Sequence, residues 1–137
     1  MVNGSWRAEM ITLDDYFMGR DAMFPAELTE AIHTAAEDTV ARCNQLLEAF
    51  GEQRGVNSGW RPPEINAATH GASATSKHMT GQACDITDTD GSLDSWCLDN
   101  LDTLQQLGLW LEHPSATPGW CHVQTVAPRS GNRVFRP

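Results

Sequence analysis

Residues 76–85 read SKHMTGQACD and place the imidazole of His78 and the carboxylate of Asp85 on either side of Gly81. A turn at the glycine could fold both side chains toward one point. A catalytic zinc ion commonly takes three nitrogen or oxygen ligands from the protein, and His122 can supply the third. The spacing alone also fits a core histidine bonded to backbone and an aspartate that caps a loop, so both interpretations stand at this level.

Two segments with helical periodicity lie on either side of this stretch. Residues 28–50 predict a first long helix, which Gly51 ends, and residues 93–107 predict a second, which Gly108 ends. The predicted buried faces are Leu28, Ile32, Ala35, Thr39, Cys43, Leu46 and Phe50 for the first, and Trp96, Cys97, Leu101, Leu104 and Leu107 for the second. Both helices are interpreted as scaffold.

Short apolar runs between the helices predict strands at residues 55–60, 82–86, 109–112 and 120–126, and residues 67–76 read as an exposed loop. The strands do not alternate regularly with helices, and no glycine fingerprint for phosphate is present. The pattern therefore predicts an α+β fold with a small central antiparallel sheet flanked by helices. Residues 1–20 and 128–137 are expected to pack on the edge of the core.

Composition predicts one domain over residues 1–137, because 40% of the residues are hydrophobic and 20% are charged. A net charge of −9 without a Lys/Arg stripe argues against a nucleic-acid partner. No apolar run approaches the roughly 20 residues that cross a bilayer, and the opening MVNGSWRAEMITLDD does not resemble a secretion signal. We expect a monomer that is made in the cytoplasm without a signal peptide and does not bind membranes.

Four cysteines, Cys43, Cys84, Cys97 and Cys121, would permit two disulfides, but none forms a C-x-x-C pair. We expect buried free thiols. Cys84 and Cys121 each precede a candidate zinc ligand, so on strands their side chains should point away from the metal.

Three blocks of sequence resemble one known family. The block SxHxxGxAxD at residues 76–85 resembles the signature of zinc D-Ala-D-Ala carboxypeptidases and dipeptidases, which share the hedgehog/DD-peptidase fold with phage L-alanyl-D-glutamate endolysins. The block WxH at residues 120–122 is similar to the segment that carries the last ligand of that family. The block SGWRP at residues 58–62, followed by Asn66, resembles the family's "SGxRP…N" segment. The blocks occur in the family's order.

The resemblance implies a Zn²⁺ ion held by His78, Asp85 and His122, which would polarise a scissile carbonyl and lower the pKa of bound water. It implies hydrolysis of peptidoglycan stem peptides by a D-Ala-D-Ala carboxypeptidase or an L-Ala-D-Glu-type endopeptidase. A phage or prophage lysin would reach the cell wall after lysis or on a phage particle. Arg61 would pair with a substrate carboxylate or an oxyanion through its forked donors. Ser76 would form a hydrogen bond with the substrate, or serve only to form a turn.

The catalytic base departs from the family's pattern. Many relatives carry an acidic residue three positions before the last histidine, where this chain has Gly119. Glu112 is the replacement candidate, because a neighbouring strand could bring it beside the metal, and His113 and Asp88 are alternatives. The alternative function is a catalytically inactive, zinc-stabilised domain that binds peptide or serves a structural role.

Overall fold

The computed structural model describes residues 10–137. The prediction that residues 1–20 pack on the edge of the core therefore lies partly outside the described residues. The elements in chain order are α1 (Leu13–Phe17), α2 (Arg20–Met23), α3 (Glu30–Phe50), β1 (Val56–Ser58), α4 (Pro63–Ala68), β2 (Ala83–Thr87), α5 (Ser92–Asp99), α6 (Leu101–Leu107), β3 (Trp110–Glu112), the 3₁₀ turn Pro114–Ala116, β4 (Trp120–Gln124) and β5 (Val134–Phe135). None of the helices within residues 10–137 has the length and apolar character needed to span a membrane.

The five strands form one sheet in the order β1-β2-β4-β3-β5. Neighbouring strands are antiparallel, except that β5 runs parallel to β3. The predicted α+β class is confirmed, and the predicted antiparallel pairing holds for β1 to β4. The tail adds the short strand β5 at the outer edge of the sheet, where no strand was predicted.

Helix α3 covers one face of the sheet and supplies much of the core. The Thr29 hydroxyl accepts a hydrogen bond from the Ile32 amide at its start, and Gly51, with φ of 91°, ends it. The buried face comprises Ala36, Thr39, Val40, Cys43, Leu46 and Leu47. Thr39, Cys43 and Leu46 were predicted correctly. The buried alanine is Ala36 and not Ala35, so the buried face is rotated by one residue in this part of the helix.

The second predicted helix is interrupted at Asn100, which separates α5 from α6. Asn100 has φ of −134° and ψ of 47°, and its side-chain amide donates to the Trp96 carbonyl at 2.8 Å. This local bond competes with helix continuation, as asparagine side chains commonly do. Leu101 is 37% exposed, so its predicted burial is wrong, whereas Cys97 and Leu104 are fully buried.

The N-terminal segment contributes to the centre of the core and not only to its edge. Tyr16 is fully buried, and its hydroxyl donates a hydrogen bond to the Ala83 carbonyl of β2 at 2.7 Å. Thr12 and Asp15 form a capping box that starts α1. Helix α1 is therefore anchored directly to the strand that carries Asp85.

A buried carboxylate lies on the core side of α5. Asp94 is 5% exposed, and its Oδ1 has no hydrogen-bond partner within the described chain. Burial raises the pKa of Asp94 to about 6, a hydrogen bond from the Cys121 thiol opposes the rise, and the nearby Asp88 carboxylate adds to it. Ionised Asp94 therefore destabilises the folded protein.

Replacing Asp94 with Asn should stabilise the protein at neutral pH. The folded pKa of Asp94 lies above the unfolded value of about 4, so its contribution to stability is present at low pH and is lost as the pH rises toward 6. We expect Asp94→Asn to raise the free energy of unfolding at neutral pH by about 2 kcal/mol and to flatten this pH dependence. Denaturant unfolding at acidic and neutral pH measures both effects, with the exposed Asp99→Asn on the same helix as control. Equal pH profiles for wild type and Asp94→Asn would contradict the assignment.

Candidate metal centre

Strand pairing brings two of the predicted ligands face to face. Asp85 on β2 lies directly opposite His122 on β4 in the antiparallel register. Their neighbours Cys84 and Cys121 belong to the hydrophobic core as buried free thiols, which confirms the prediction that these thiols point away from the candidate metal site. Alternation along both strands therefore directs Asp85 and His122 to the opposite face of the sheet.

The turn before β2 brings the third predicted ligand to the same place. Gly81 adopts φ of 75°, and a Cβ there would lie 2.9 Å from the Ile32 carbonyl oxygen of α3. The Thr39 hydroxyl donates to the Gly81 carbonyl at 2.7 Å and ties this turn to the helix. The predicted turn at Gly81 is confirmed. The candidate ligand atoms of His78, Asp85 and His122 all lie within 4.8 Å of one another, and all three residues are buried.

Backbone hydrogen bonds fix the His78 ring. Its Nδ1 lies 2.8 Å from the Gly59 carbonyl oxygen, which can only accept, so Nδ1 carries the proton and Nε2 presents its lone pair. Nε2 is buried without a hydrogen-bond partner within the described chain. It lies 3.2 Å from Asp85 Oδ1 but lacks hydrogen-bond geometry to it. A bond from the Arg61 amide to the His78 carbonyl, 3.0 Å long, joins the same two segments a second time.

The Asp85 carboxylate is at the centre of the electrostatics of these three groups. Asp85 Oδ1 lies 2.8 Å from His122 Nδ1. Burial opposes ionisation of Asp85, but the contacts with His122 and His78 outweigh burial and hold the pKa of this carboxyl below its ordinary value. Burial lowers the pKa of His78. For His122, burial acts in the same direction, yet the hydrogen bond with Asp85 raises its pKa overall.

These residues fit a divalent metal ion. The unpartnered Nε2 of His78 is a buried polar atom that requires a partner. A carboxylate oxygen and a second imidazole nitrogen lie beside it, which gives the nitrogen and oxygen donor set of a catalytic zinc site with a position left for water. His78, Asp85 and His122 could therefore hold Zn²⁺, as their sequence pattern predicts.

The three residues line a cleft with a volume of about 480 Å³. Arg61 lines it too and is only 8% exposed. Its Nε has no hydrogen-bond partner, and Arg61 forms no ion pair with any carboxylate among residues 10–137. Burial lowers the pKa of Arg61 and the Asp85 carboxylate opposes this, but a guanidinium stays charged.

Ser76 lines the cleft and also shapes the turn that carries His78. Its hydroxyl oxygen accepts a hydrogen bond from the His78 amide at 3.2 Å. The turn-forming role is therefore present in the structure. The hydroxyl remains next to the space where a substrate would lie.

Of the three candidate bases, the structure brings only Glu112 to the cleft. Glu112 Oε1 lies 3.8 Å from His122 Nδ1, and burial raises the pKa of this carboxyl. The His113 ring instead accepts a hydrogen bond from the Ser115 amide. Asp88 caps the start of α5 by accepting from the Leu93 and Asp94 amides. Neither His113 nor Asp88 lines the cleft.

Gly119, where the sequence resemblance would place an acidic residue, has a backbone conformation that suits glycine. Gly119 has φ of 96°, in the left-handed region, and is exposed. A glutamate or aspartate would be strained there. The loop before β4 therefore has a backbone conformation at this position that an acidic residue could adopt only with strain.

Sequence reasoning missed several residues of the cleft, among them Phe135, Lys77 and Gln124. Phe135 on β5 packs edge to face on the His122 ring, with ring centroids 6.1 Å apart. No periodicity in the tail signalled this contact. Lys77 also lines the cleft, and here a signal was available, because it is the only lysine in the chain and adjoins His78.

Comparison with known proteins gave one positive result. The model of the family described as Peptidase M15 matches residues 19–107, a range that contains His78 and Asp85 and ends before Glu112 and His122. Comparisons with curated proteins and with solved structures gave no match.

The contact between Gly59 and α1 gives a test of how the site is supported. A Cβ on Gly59 would overlap the Tyr16 carbonyl oxygen, so Gly59→Ala must displace the segment whose carbonyl holds the His78 ring. We expect the free energy of unfolding to fall by about 2 kcal/mol or more. The control is Gly55→Ala, because a Cβ at Gly55 meets no atom within 4 Å. Equal loss in both variants, measured by denaturant unfolding, would contradict the proposed support.

Proposed function

The chain belongs to the peptidase M15 family, and we propose that it is a zinc-dependent peptidase that hydrolyses peptidoglycan stem peptides. The observation that carries this proposal is the convergence of His78, Asp85 and His122 in one cleft, with the lone pair of His78 Nε2 unpartnered. The proposal covers both D-Ala-D-Ala carboxypeptidase and L-Ala-D-Glu-type endopeptidase action. It includes a monomeric single domain over residues 1–137 and a role as a phage or prophage lysin, which rests on the resemblance to endolysins.

The metal centre would supply the electrophile. Zn²⁺ held by His78, Asp85 and His122 would polarise the scissile carbonyl and bring the pKa of a water molecule down toward about 7. The protein contributes rigidity, since the His78 ring donates to the Gly59 carbonyl and the Arg61 amide donates to the His78 carbonyl, and both bonds hold the His78 turn against residues 59–61. Preorganised ligands need little rearrangement when the metal binds.

Glu112 is proposed as the group that moves the proton. Glu112 lines the same cleft as the three candidate ligands, and its carboxylate lies close to His122. It would take a proton from the attacking water and pass it to the nitrogen of the scissile bond, which leaves as an amine, and the carboxylate is restored. Burial raises the pKa of Glu112, and this makes the carboxylate a better proton acceptor than an exposed glutamate.

The charges of the cleft suit a peptide that carries carboxylates. The chain has 18 acidic residues, yet within the described residues only Asp85 and Glu112 line the cleft, and both have a place in the metal centre or beside it. Arg61 and Lys77 supply positive charge in the same lining. A peptide carboxylate could pair with the Arg61 fork, which forms no ion pair within residues 10–137.

A second function, that of an inactive zinc-stabilised domain that binds peptide, is favoured by one observation. Gly119 stands where many relatives carry the acidic group. In that case the cleft would bind a peptide through Arg61 and Lys77 without cutting it. The two functions differ in what Glu112 does, so a substitution of this residue separates them.

We expect one zinc ion per chain, and peptide hydrolysis that depends on it. Elemental analysis of untagged protein purified without chelator should find zinc in the wild type and none in His78→Ala, because the variant lacks the unpartnered nitrogen. The control is His33→Ala, a partly exposed histidine of α3 outside the cleft. Hydrolysis of a stem peptide containing a D-amino acid should stop with chelator and return with zinc. If zinc is absent from the wild type as well as from His78→Ala, even after zinc is supplied, the proposed function is wrong.

Replacing Glu112 with Gln should abolish turnover and spare zinc. The amide keeps the shape of the side chain but cannot take the proton, so we expect kcat to fall at least 100-fold with zinc content unchanged. The matched control is Glu48→Gln, an exposed glutamate of α3. A wild-type chain that binds stem peptide and zinc but shows no hydrolysis would favour the binding domain instead. Full activity in Glu112→Gln would assign the proton transfer to another group.

A further inference from the structure

Gln124 occupies the position on β4 that shares a face with His122. Side chains two apart on a strand point the same way, and Gln124 is 5% exposed. Its Oε1 lies 2.9 Å from His122 Nε2. Its own amide nitrogen donates a hydrogen bond to the Val126 carbonyl at 2.8 Å. A buried glutamine therefore connects the back of the His122 ring to the chain that follows β4.

The Val126 carbonyl determines which way the glutamine amide faces. A backbone carbonyl only accepts hydrogen bonds, so the NH₂ group of Gln124 must point at it. The amide oxygen then faces the imidazole. Since this oxygen is also an acceptor, His122 Nε2 must carry a proton and donate it. The Asp85 carboxylate is an acceptor too, so Nδ1 donates to it. A metal ion that replaced this proton would bind the lone pair of Nδ1.

That nitrogen faces the metal centre. His122 Nδ1 lies 2.8 Å from Asp85 Oδ1, among the candidate ligand atoms. A half-turn of the ring would put a carbon atom in place of Nδ1 and remove the ligand. The other imidazole uses the opposite arrangement, because His78 presents Nε2 while the Gly59 carbonyl holds its Nδ1. Each histidine thus has an acceptor on the nitrogen that faces away from the metal.

We propose that Gln124 is a positioning residue that makes His122 bind the metal through Nδ1. The proposal rests on the metal centre of the proposed function and deepens it. Gln124 is not one of the candidate ligands, but its amide oxygen fixes the orientation of the His122 ring and the nitrogen that keeps its proton. A backbone carbonyl does this for His78. For His122 a replaceable side chain does it, so the effect can be tested by substitution.

The test compares two variants of Gln124. Gln124→Leu removes the acceptor oxygen and introduces an apolar side chain of similar volume. Gln124→Glu keeps an acceptor oxygen on a side chain of the same length. Competition with a chromophoric chelator should show that Gln124→Leu binds zinc about 10- to 100-fold more weakly than wild type. This is the usual loss of metal affinity when the hydrogen-bond partner of a ligating histidine is removed. Gln124→Glu should stay within a few-fold of wild type. The exposed Gln105→Leu on α6 is the control for an unrelated glutamine.

Nitrogen NMR of histidine-labelled, zinc-loaded protein gives a readout that a purely structural role would not change. In wild type and Gln124→Glu, His122 should be metallated at Nδ1 and should carry a proton on Nε2. In Gln124→Leu the Nε2 proton should exchange rapidly with solvent, or the metal should move to Nε2. If Gln124→Leu keeps wild-type zinc affinity and the wild-type nitrogen pattern, Gln124 has no positioning role and the metal centre stands. If the wild-type chain binds no zinc, the metal centre itself is wrong, and this inference with it.

Discussion

The register of β2 against β4 is the constraint on which the rest of the site depends. It sets Asp85 opposite His122, and alternation along each strand commits the neighbouring cysteines to the core. A slip of one residue would exchange the two faces, so that thiols would face the cleft and the carboxylate would be buried among apolar side chains. The core and the candidate metal centre are thus specified by the same ladder of hydrogen bonds.

Tertiary contacts around this ladder give the third ligand its place. His78 is not on a strand, and its position depends on the turn at Gly81 and on residues 59–61, which α1 holds through Tyr16. The segment SGWRP therefore acts mainly through its backbone at Gly59, while Arg61 adds a charged side chain to the cleft. Segments far apart in the sequence support one another here, so a substitution that disturbs the packing of α1 would also displace His78 in the candidate metal centre.

Much of this was predictable because it rests on local signals. Glycines at the ends of α3 and α6 marked helix ends, and the spacing around Gly81 marked the turn. The break between α5 and α6 at Asn100 could not be predicted, because the apolar periodicity continues through Asn100 and a hydrogen bond of its side chain outweighs that pattern. Glu112 could be proposed but not placed, since its distance from His122 depends on the pairing of β3 with β4. The short strand β5 forms only because β3 is available as a partner.

Lys77 has a consequence for chemistry done on the protein from outside. It is the only lysine of the chain, and its side chain lies at the cleft, beside the candidate metal centre. Reagents that acylate primary amines therefore meet a single ε-amino group in this chain, since arginine accounts for its other basic residues. A fluorophore or crosslinker attached there would sit at the mouth of the cleft and report on whatever enters it.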